Sequence, residues 1–320
     1  MESKATVLRP VLPAHSHPIS TGHYVVPTKV IDTMCQKAVS WVHNRTTGAI
    51  IYGRPRLGKS KAIEYLSDVL RQEFGAQLPV YSVNCPSFQY PKETAFFEHL
   101  LKKVGHQLVH KGTMSMKRSR LTNFLADAGH TTNRIVILLD DAQNLQSPEY
   151  NWLMDVFNEV MQMGINVTAI LVGQNELLGM RKSLQLEGKQ QIIGRFMVQS
   201  HKFEGVKSGS DIATCLLGYD RVEHPVGSGW SFTRYFFPEA YATGFRLESH
   251  AESLHTVFRN LSLKTGHKHM EIPMHYLIAS IEYVLREYGA DGRGLNDITP
   301  KLWERSVIQS GYVEAETLTE

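Results

Sequence analysis

The sequence predicts an α/β fold with a parallel sheet at its core and a helical region behind it. Three observations lead there: apolar runs alternate with helical patterns up to about residue 203, a glycine-rich loop joins the first run to the first long helix, and a later run ends in paired acids. Strands that alternate with helices are linked by right-handed crossovers, which makes the sheet parallel.

The chain opens with a stretch to residue 27 that carries Pro10, Pro13, Pro18, Gly22 and Pro27 and little periodicity, read as an extended arm that wraps a neighbour or moves freely. Ile31, Cys35, Ala38, Val39 and Val42 then recur at helical spacing. The run Ala49-Ile50-Ile51-Tyr52 is the first strand, and Val80-Tyr81-Ser82-Val83-Asn84 is the second. A helix is expected from about Lys92 to Val109, then a polar basic loop from His110 to Arg120, then a helix from Leu121 to Ala128. Arg134-Ile135-Val136-Ile137-Leu138-Leu139 is a strand covered on both faces, Asn151 to Met163 a helix, and Asn166 to Val172 the next strand.

Between the first strand and the helical pattern Lys61-Ala62-Ile63-Glu64-Tyr65-Leu66 lies Gly53-Arg54-Pro55-Arg56-Leu57-Gly58-Lys59-Ser60, a complete G-x-x-x-x-G-K-[ST] phosphate loop in its strand–loop–helix setting. Its glycines let backbone N–H groups and a helix N-terminus converge on a phosphate. Lys59 supplies a charge for the β/γ-phosphates, and Ser60 a hydroxyl for Mg2+. ATP with Mg2+ is therefore the expected cofactor pair. Asp140 and Asp141 emerge at the C-terminal end of the acidic strand, where open α/β sheets place their ligands. Asp140 is expected in the Mg2+ shell and Asp141 as the group that orients or deprotonates the attacking water. After the following strand, either Gln174 or Asn175 is placed to hydrogen-bond the γ-phosphate or its water. Arg195, in Gly194-Arg195-Phe196, reads as an arginine finger reaching a neighbouring subunit's nucleotide, or else as a surface arginine in a local ion pair.

Taken in order, the phosphate loop, the strand ending Asp140-Asp141-Ala142-Gln143, the strand ending Val172-Gly173-Gln174 and then Gly194-Arg195-Phe196 resemble an AAA+ ATPase of the initiator-like branch. Within it they resemble the TnsC/TniB regulators of DNA transposition, and Val25-Val26-Pro27 together with Asp-x-Ala-Gln carries that narrower likeness. The resemblance implies an α/β AAA+ P-loop NTPase with a parallel-sheet core at 28–203 and a C-terminal helical lid at 204–320. It implies a homo-oligomer, a ring or helical filament, that assembles with ATP on double-stranded DNA and links a target-selector protein to transposase subunits, as in CRISPR-associated transposons. Lys103, Lys111, Lys117, Arg118 and Arg120, with Lys102, would then track the DNA backbone without reading sequence; a solvated basic loop is the alternative. Arg293 matches loosely the site of a second sensor arginine that contacts the nucleotide. The family often has Asp-Glu where this chain has Asp140-Asp141, so the base is one methylene shorter and hydrolysis is expected to be slow.

Composition bounds the rest. The 320 residues carry 34 Lys+Arg against 31 Asp+Glu, a formal net charge of +3, which excludes a histone-like polycation while leaving room for a local basic stripe. Cys35, Cys85 and Cys215 are isolated, so neither a zinc knuckle nor a disulfide framework is suggested and reduced thiols in a cytoplasmic setting are expected. No apolar run approaches the roughly 18 residues of a membrane span, and no charged-then-apolar leader stands at the N-terminus, so no membrane partner is expected. His15, His17, His267, His269 and His275 lack paired cysteines or an H-E-x-x-H helix and read as solvated histidines. Trp230, Phe232, Tyr235, Phe236, Phe237, Tyr241 and Phe245 make 218–246 either a partner-binding insertion or lid packing. Two other functions fit the phosphate loop: a nucleotide-gated signalling scaffold without a DNA role, and a replication initiator or loader, although no convincing helix-turn-helix is found.

Overall fold

Uninterrupted apolar runs can be buried on both faces only in a sheet flanked by helices, and the computed structural model shows this arrangement for residues 33–204. It describes residues 8–26, 28–265, 270–290, 292 and 298–317. They divide into two compact units, one spanning Thr33–Glu204 and one joining the described residues up to Asp32 to those from Gly205 onward.

In chain order the elements are α1 (Pro18–Thr21), α2 (Lys29–His43), β1 (Gly48–Tyr52), α3 (Lys59–Phe74), β2 (Val80–Asn84), α4 (Glu93–Lys103), α5 (Met114–Gly129), β3 (Arg134–Asp140), α6 (Ser147–Gln162), β4 (Asn166–Gly173), α7 (Glu176–Leu186), α8 (Gln190–Phe196) and β5 (Gln199–Lys202). The strands form one parallel sheet in the order β2-β3-β4-β1-β5. The first and third strands of the chain are thus separated by the fourth, about 10 Å from axis to axis. Register brings the functional ends into one row: Asn84 pairs with Asp140, Leu139 with Leu171, and Tyr52 with Gly173. Ile50, Leu138, Ile170 and Leu171 are fully buried, as expected where helices cover both faces.

Several boundaries differ from the sequence reading: α4, expected to run to about Val109, ends at Lys103, and α6 starts at Ser147 ahead of Asn151. The edge strand β5 is the polar run Gln-Ser-His-Lys, which has no apolar signature because it is largely exposed. Residues from Met114 to Arg120 are helical, not a loop: the Thr113 side chain accepts from the Met116 N–H, and this cap starts α5 ahead of its apolar face.

The second unit is helical: α9 (Gly209–Arg221), α10 (Phe232–Phe236), α11 (Pro238–Ala242), α12 (Ala251–Lys264), α13 (Met274–Gly289), α14 (Pro300–Gln309) and α15 (Tyr312–Thr317). Tyr276, Leu277, Ile281, Val284 and Leu285 form the buried stripe of α13, with Trp303 of α14 in the same core. Phe232, Phe236 and Phe237 join this core and Trp230 is buried, while Tyr235, Tyr241 and Phe245 are half-buried.

The described part of the N-terminal arm is also packed into this unit. Ile19 and Val26 join its core, Tyr24 donates to Glu282 Oε1 at 2.7 Å, and His17 lies at 4% exposure stacked 4.6 Å from Tyr235. His17 was expected in solvent. Its Nδ1 caps α1 by accepting from the Ile19 N–H, and burial with nearby His224 and Arg9 lowers its pKa to about 4. His15 and His275 are exposed as expected, whereas His267, His269, Pro27 and Arg293 lie outside the described residues.

Candidate nucleotide site at the strand ends

The loop leaving β1 is shaped by close backbone contact on one side and a left-handed turn on the other. A Cβ at Gly53 would meet Phe203 O at 2.2 Å, because the chain leaving β5 passes directly beside it with Phe203 N donating to Tyr52 O at 2.7 Å. Gly58, at φ 95°, precedes α3 in a conformation that glycine adopts without strain. Arg56 takes a left-handed conformation with a side chain, φ 63°. Leu57 anchors the loop at 2% exposure, while Arg54 is half-buried and Pro55 and Arg56 are exposed.

Lys59 is buried in the loop's concavity and donates to its carbonyls, 2.9 Å to Gly53 O and 2.6 Å to Arg54 O. Burial lowers its pKa, opposed by attraction to Asp140, Asp141 and Glu176. The ammonium therefore occupies the cradle where the motif places a phosphate, held by bonds that a phosphate can replace.

Ser60, exposed on the first turn of α3, is hydrogen-bonded to the Asp140 carboxylate. Burial raises the Asp140 pKa, and the Ser60 hydroxyl and the Asp141 N–H, 3.0 Å from Oδ1, work against that rise. A hydroxyl and a carboxylate are hard oxygen donors, the pair that could hold Mg2+. Among the described residues no group of three or more His, Cys, Asp or Glu is placed to hold a metal ion, so phosphate oxygens and water would complete such a shell.

Asp141 sits at φ 53° at the start of a 3-10 turn, Ala142–Asn144, which swings its side chain away from the strand line. Its Oδ2 accepts from Asn84 Nδ2 at 3.0 Å and its Oδ1 from Gln143 Nε2 at 3.1 Å. Gln143 Oε1 in turn accepts from the Gln174 N–H at 3.1 Å. One chain of amides thus ties the ends of β2, β3 and β4 together around this carboxylate. Gly173 is needed for it, since a Cβ there would meet Gln143 Oε1 at 2.2 Å. The sequence reading named Gln143 only within a motif and did not assign Asn84 a role; an amide ending the strand beside the acidic one was the available signal. Gln174 is half-buried at the end of β4, between the phosphate-loop strand and the acidic strand, and Asn175 is exposed one residue on.

Arg195 is at the other end of the sheet. A Cβ at Gly48, the first residue of β1, would meet Arg195 O at 2.3 Å, and Gly53 lies five residues further along, about 16 Å away at strand rise. Arg195 therefore does not serve its own subunit's loop. Its Nε and Nη2 are buried without a hydrogen-bond partner, and burial lowers its pKa.

The basic residues separate into two groups. Lys117 is buried at 4% in an ion pair with Glu98, Arg118 pairs with Glu93 at 2.9 Å and Asp155 at 3.3 Å, and Arg120 donates to Leu108 O and Lys111 O. These three hold α5 against α4, α6 and the intervening turn, which corrects their reading as a free phosphate-tracking loop. Lys102, Lys103 and Lys111 are exposed.

Residues 43–180 match the family model described as an AAA domain. The chain carries an AAA-type ATPase domain. This makes it a nucleotide-hydrolysing P-loop protein, and the match contains the phosphate loop, the acidic pair and Gln174. No curated protein matches the sequence. Among solved structures, the chain is similar to the ORC2 protein of Aeropyrum pernix in its ADPNP–ADP complexes, at 14% identity over 92% of this chain and 71% of that one, TM-score 0.64. It is similar also to A. pernix ORC1 in complex with DNA (10% identity, 89% and 66% covered, TM-score 0.53) and to Drosophila ORC bound to DNA (12% identity, 98% and 73% covered, TM-score 0.50). These identities establish shared fold: the AAA+ α/β architecture with its five-stranded parallel sheet. No helix among the described residues is long and apolar enough to cross a membrane.

Proposed function

We propose that this chain is an initiator-class AAA+ ATPase that binds ATP with Mg2+, assembles with copies of itself, and does so on double-stranded DNA through phosphate contacts. The observation that carries the reading is the split placement of its charges. Lys59, Ser60, Asp140 and Asp141 converge at one end of the sheet, while Arg195, with two unpartnered buried nitrogens, stands at the other. An arginine out of reach of its own nucleotide completes a site only in trans, so hydrolysis requires neighbours.

In this reading Lys59 exchanges the Gly53 and Arg54 carbonyls for β/γ-phosphate oxygens. Ser60 and Asp140 would hold Mg2+, which supplies charge neutralisation at the phosphates when bound. Asp141 orients water once one of its amide partners yields, and Gln174 or Asn175 contacts the γ-phosphate. Lys103, at the end of α4, and Lys111, in the segment between α4 and α5, are exposed and are the backbone contacts; the likeness to initiator proteins solved with DNA supports this side of the proposal.

Within that class, a role as a transposition regulator that links a target selector to transposase subunits rests on the Asp140-Asp141-Ala142-Gln143 resemblance. The position of Gln143 between Asp141 and Gln174 gives that motif a physical task here. A replication initiator or loader is the neighbouring reading, and the solved structures similar to this chain favour it. The experiment that tests the shared proposal is size-exclusion chromatography with ATP, with and without duplex DNA of unrelated sequences. Nucleotide-dependent co-elution with any duplex supports it, whereas ATP binding with no DNA association at low salt favours a signalling scaffold.

A further inference from the structure

The segment between α9 and α10 is built as a braced hairpin with an apolar tip. Glu223 and Ser231 pair across it, His224 N donates to Trp230 O at 3.0 Å, and Phe232 N donates to Val222 O at 3.0 Å. Trp230, 5% exposed, seats the returning limb, and the Arg234 guanidinium stacks 4.3 Å from its ring centre while donating to Gly229 O at 2.7 Å. Ser228 N closes the turn on Pro225 O, and Glu223 Oε2 accepts from Gly229 N at 3.0 Å. A loop held this closely docks with little ordering cost. Its tip is apolar and in solvent: Pro225 is exposed and Val226 is 94% exposed.

The same helical unit carries a groove of about 650 Å³ between α12 and α14, a volume within the range of clefts that take ligands. Val257, Leu263 and Pro300 give it an apolar lining, and Leu263 is 59% exposed. The packing order sets groove and hairpin on opposite sides of the unit. α10 rests on α9 and α13, α9 packs on α12, α13 packs on α14, and α12 meets α14 at the groove. The seam between α12 and α14 therefore faces away from α10 and the hairpin that leads into it.

We propose that the Pro225-Val226 tip of one copy seats in the α12–α14 groove of the next copy, a contact between the helical units of neighbouring chains. A knob and its groove on opposite sides of one body make a head-to-tail contact, which closes into a ring or extends as a helix. The charges agree with a second copy as the occupant. Lys264 and Glu304 of the groove pair with each other at 3.7 Å, which leaves Glu252 and Lys301 as its other charges, while the foot of the hairpin carries Arg221 and Glu223, again one of each sign. One hairpin tip is far smaller than the interface a stable pair of proteins buries, so this contact adds to the nucleotide-dependent one at Arg195 and does not replace it. The inference rests on the self-assembly proposed above.

The test uses the full chain with a non-hydrolysable ATP analogue and a short bismaleimide cross-linker, since Cys35, Cys85 and Cys215 are buried. A mixture of Val226→Cys and Leu263→Cys proteins should give covalent dimers, and the double variant a ladder of larger species. Either single variant alone should stay monomeric on a denaturing gel. In sedimentation, Val226→Asp and Leu263→Asp should each raise the concentration at half-assembly tenfold or more, the worth of one buried valine or leucine, with nucleotide affinity within twofold of wild type. Both side chains are exposed in the single chain, so neither change disturbs its core. Wild-type assembly by Val226→Asp overturns the proposal, as does a mixture that sediments as an assembly yet gives no cross-link, or a single variant that cross-links to itself. Each of those results leaves the proposed function standing. A wild type that stays monomeric in every nucleotide state, with and without duplex, overturns both.

Discussion

Replacing Gly53 by alanine isolates what the phosphate loop requires of its first glycine. The new Cβ would lie 2.2 Å from Phe203 O, against the 3.0 Å below which real Cβ contacts essentially never fall, so 0.8 Å of separation must be found between two backbones. Neither yields easily, because Phe203 N donates to Tyr52 O at 2.7 Å and Gly53 N to Gly173 O at 3.2 Å. Moving the chain after β5 by that amount stretches the first bond out of range. Overpacking at about 1–3 kcal/mol and a lost hydrogen bond at about 1 kcal/mol give a cost of about 2–4 kcal/mol. For a domain of this size that is a fall of about 5–15 °C in the melting temperature, read by differential scanning fluorimetry without nucleotide. A loop displaced by close to 1 Å should also lose about a hundredfold in turnover. Gly58→Ala is the comparison: its φ of 95° strains an alanine by about 1–2 kcal/mol. A Gly53→Ala protein that melts within 2 °C of wild type and hydrolyses ATP normally would refute the close-approach argument, since that margin is under about 1 kcal/mol.

The remaining predictions are direct. Lys59→Ala should weaken ATP binding about 10- to 150-fold, the worth of one charge-assisted contact at about 1.5–3 kcal/mol, and unchanged affinity by calorimetry would sink the phosphate-loop assignment. Asp141→Asn should keep ATP bound and stabilise the assembled form, whereas loss of binding would make Asp141 a metal ligand. Arg195→Ala should spare nucleotide binding and abolish turnover, and mixing it with Lys59→Ala should restore ATPase activity at the interface that holds both intact elements; proven mixed assemblies without activity would count against the trans role. For DNA, Lys103→Ala and Lys111→Ala should each flatten the slope of log affinity against log salt by about one unit, while Lys117→Ala should lower the melting temperature and leave that slope alone. His17 has a folded pKa lowered to about 4 from 6.5, so it costs stability as pH falls through that window, where the unfolded chain takes up the proton first. His17→Asn keeps a capping acceptor without titrating, and its melting temperature should fall less between pH 6.5 and 4.

The parts of the fold legible in the sequence are those where burial writes a pattern. β1, β3 and β4 are covered on both faces and β2 buries its two valines, and each sits within a residue or so of the run read as a strand. β5 is an exposed edge held by Tyr52 O and its β1 neighbours, so its polar sequence carries no such record. The aromatic stretch at 230–237 and the N-terminal segment were ambiguous for the opposite reason: rings and prolines serve equally in a core or at a surface, and only the packing of His17, Phe232 and Phe236 decides. In the site, the phosphate loop and Asp140 were readable because their chemistry fixes spacing along the chain. Asn84 was not, since it reaches Asp141 through pairing between β2 and β3. Lys117 and Arg118 misled because a lysine in a buried ion pair and one in solvent look alike in a list of charges.

Electron microscopy of the full chain with a non-hydrolysable ATP analogue and duplex DNA of arbitrary sequence tests the central claim most directly. The account predicts rings or helical filaments around the duplex, with Arg195 of each subunit facing the γ-phosphate held by Lys59 of the next and the end of α4 turned toward the DNA backbone. Single chains with nucleotide bound and DNA left free at low salt would contradict it.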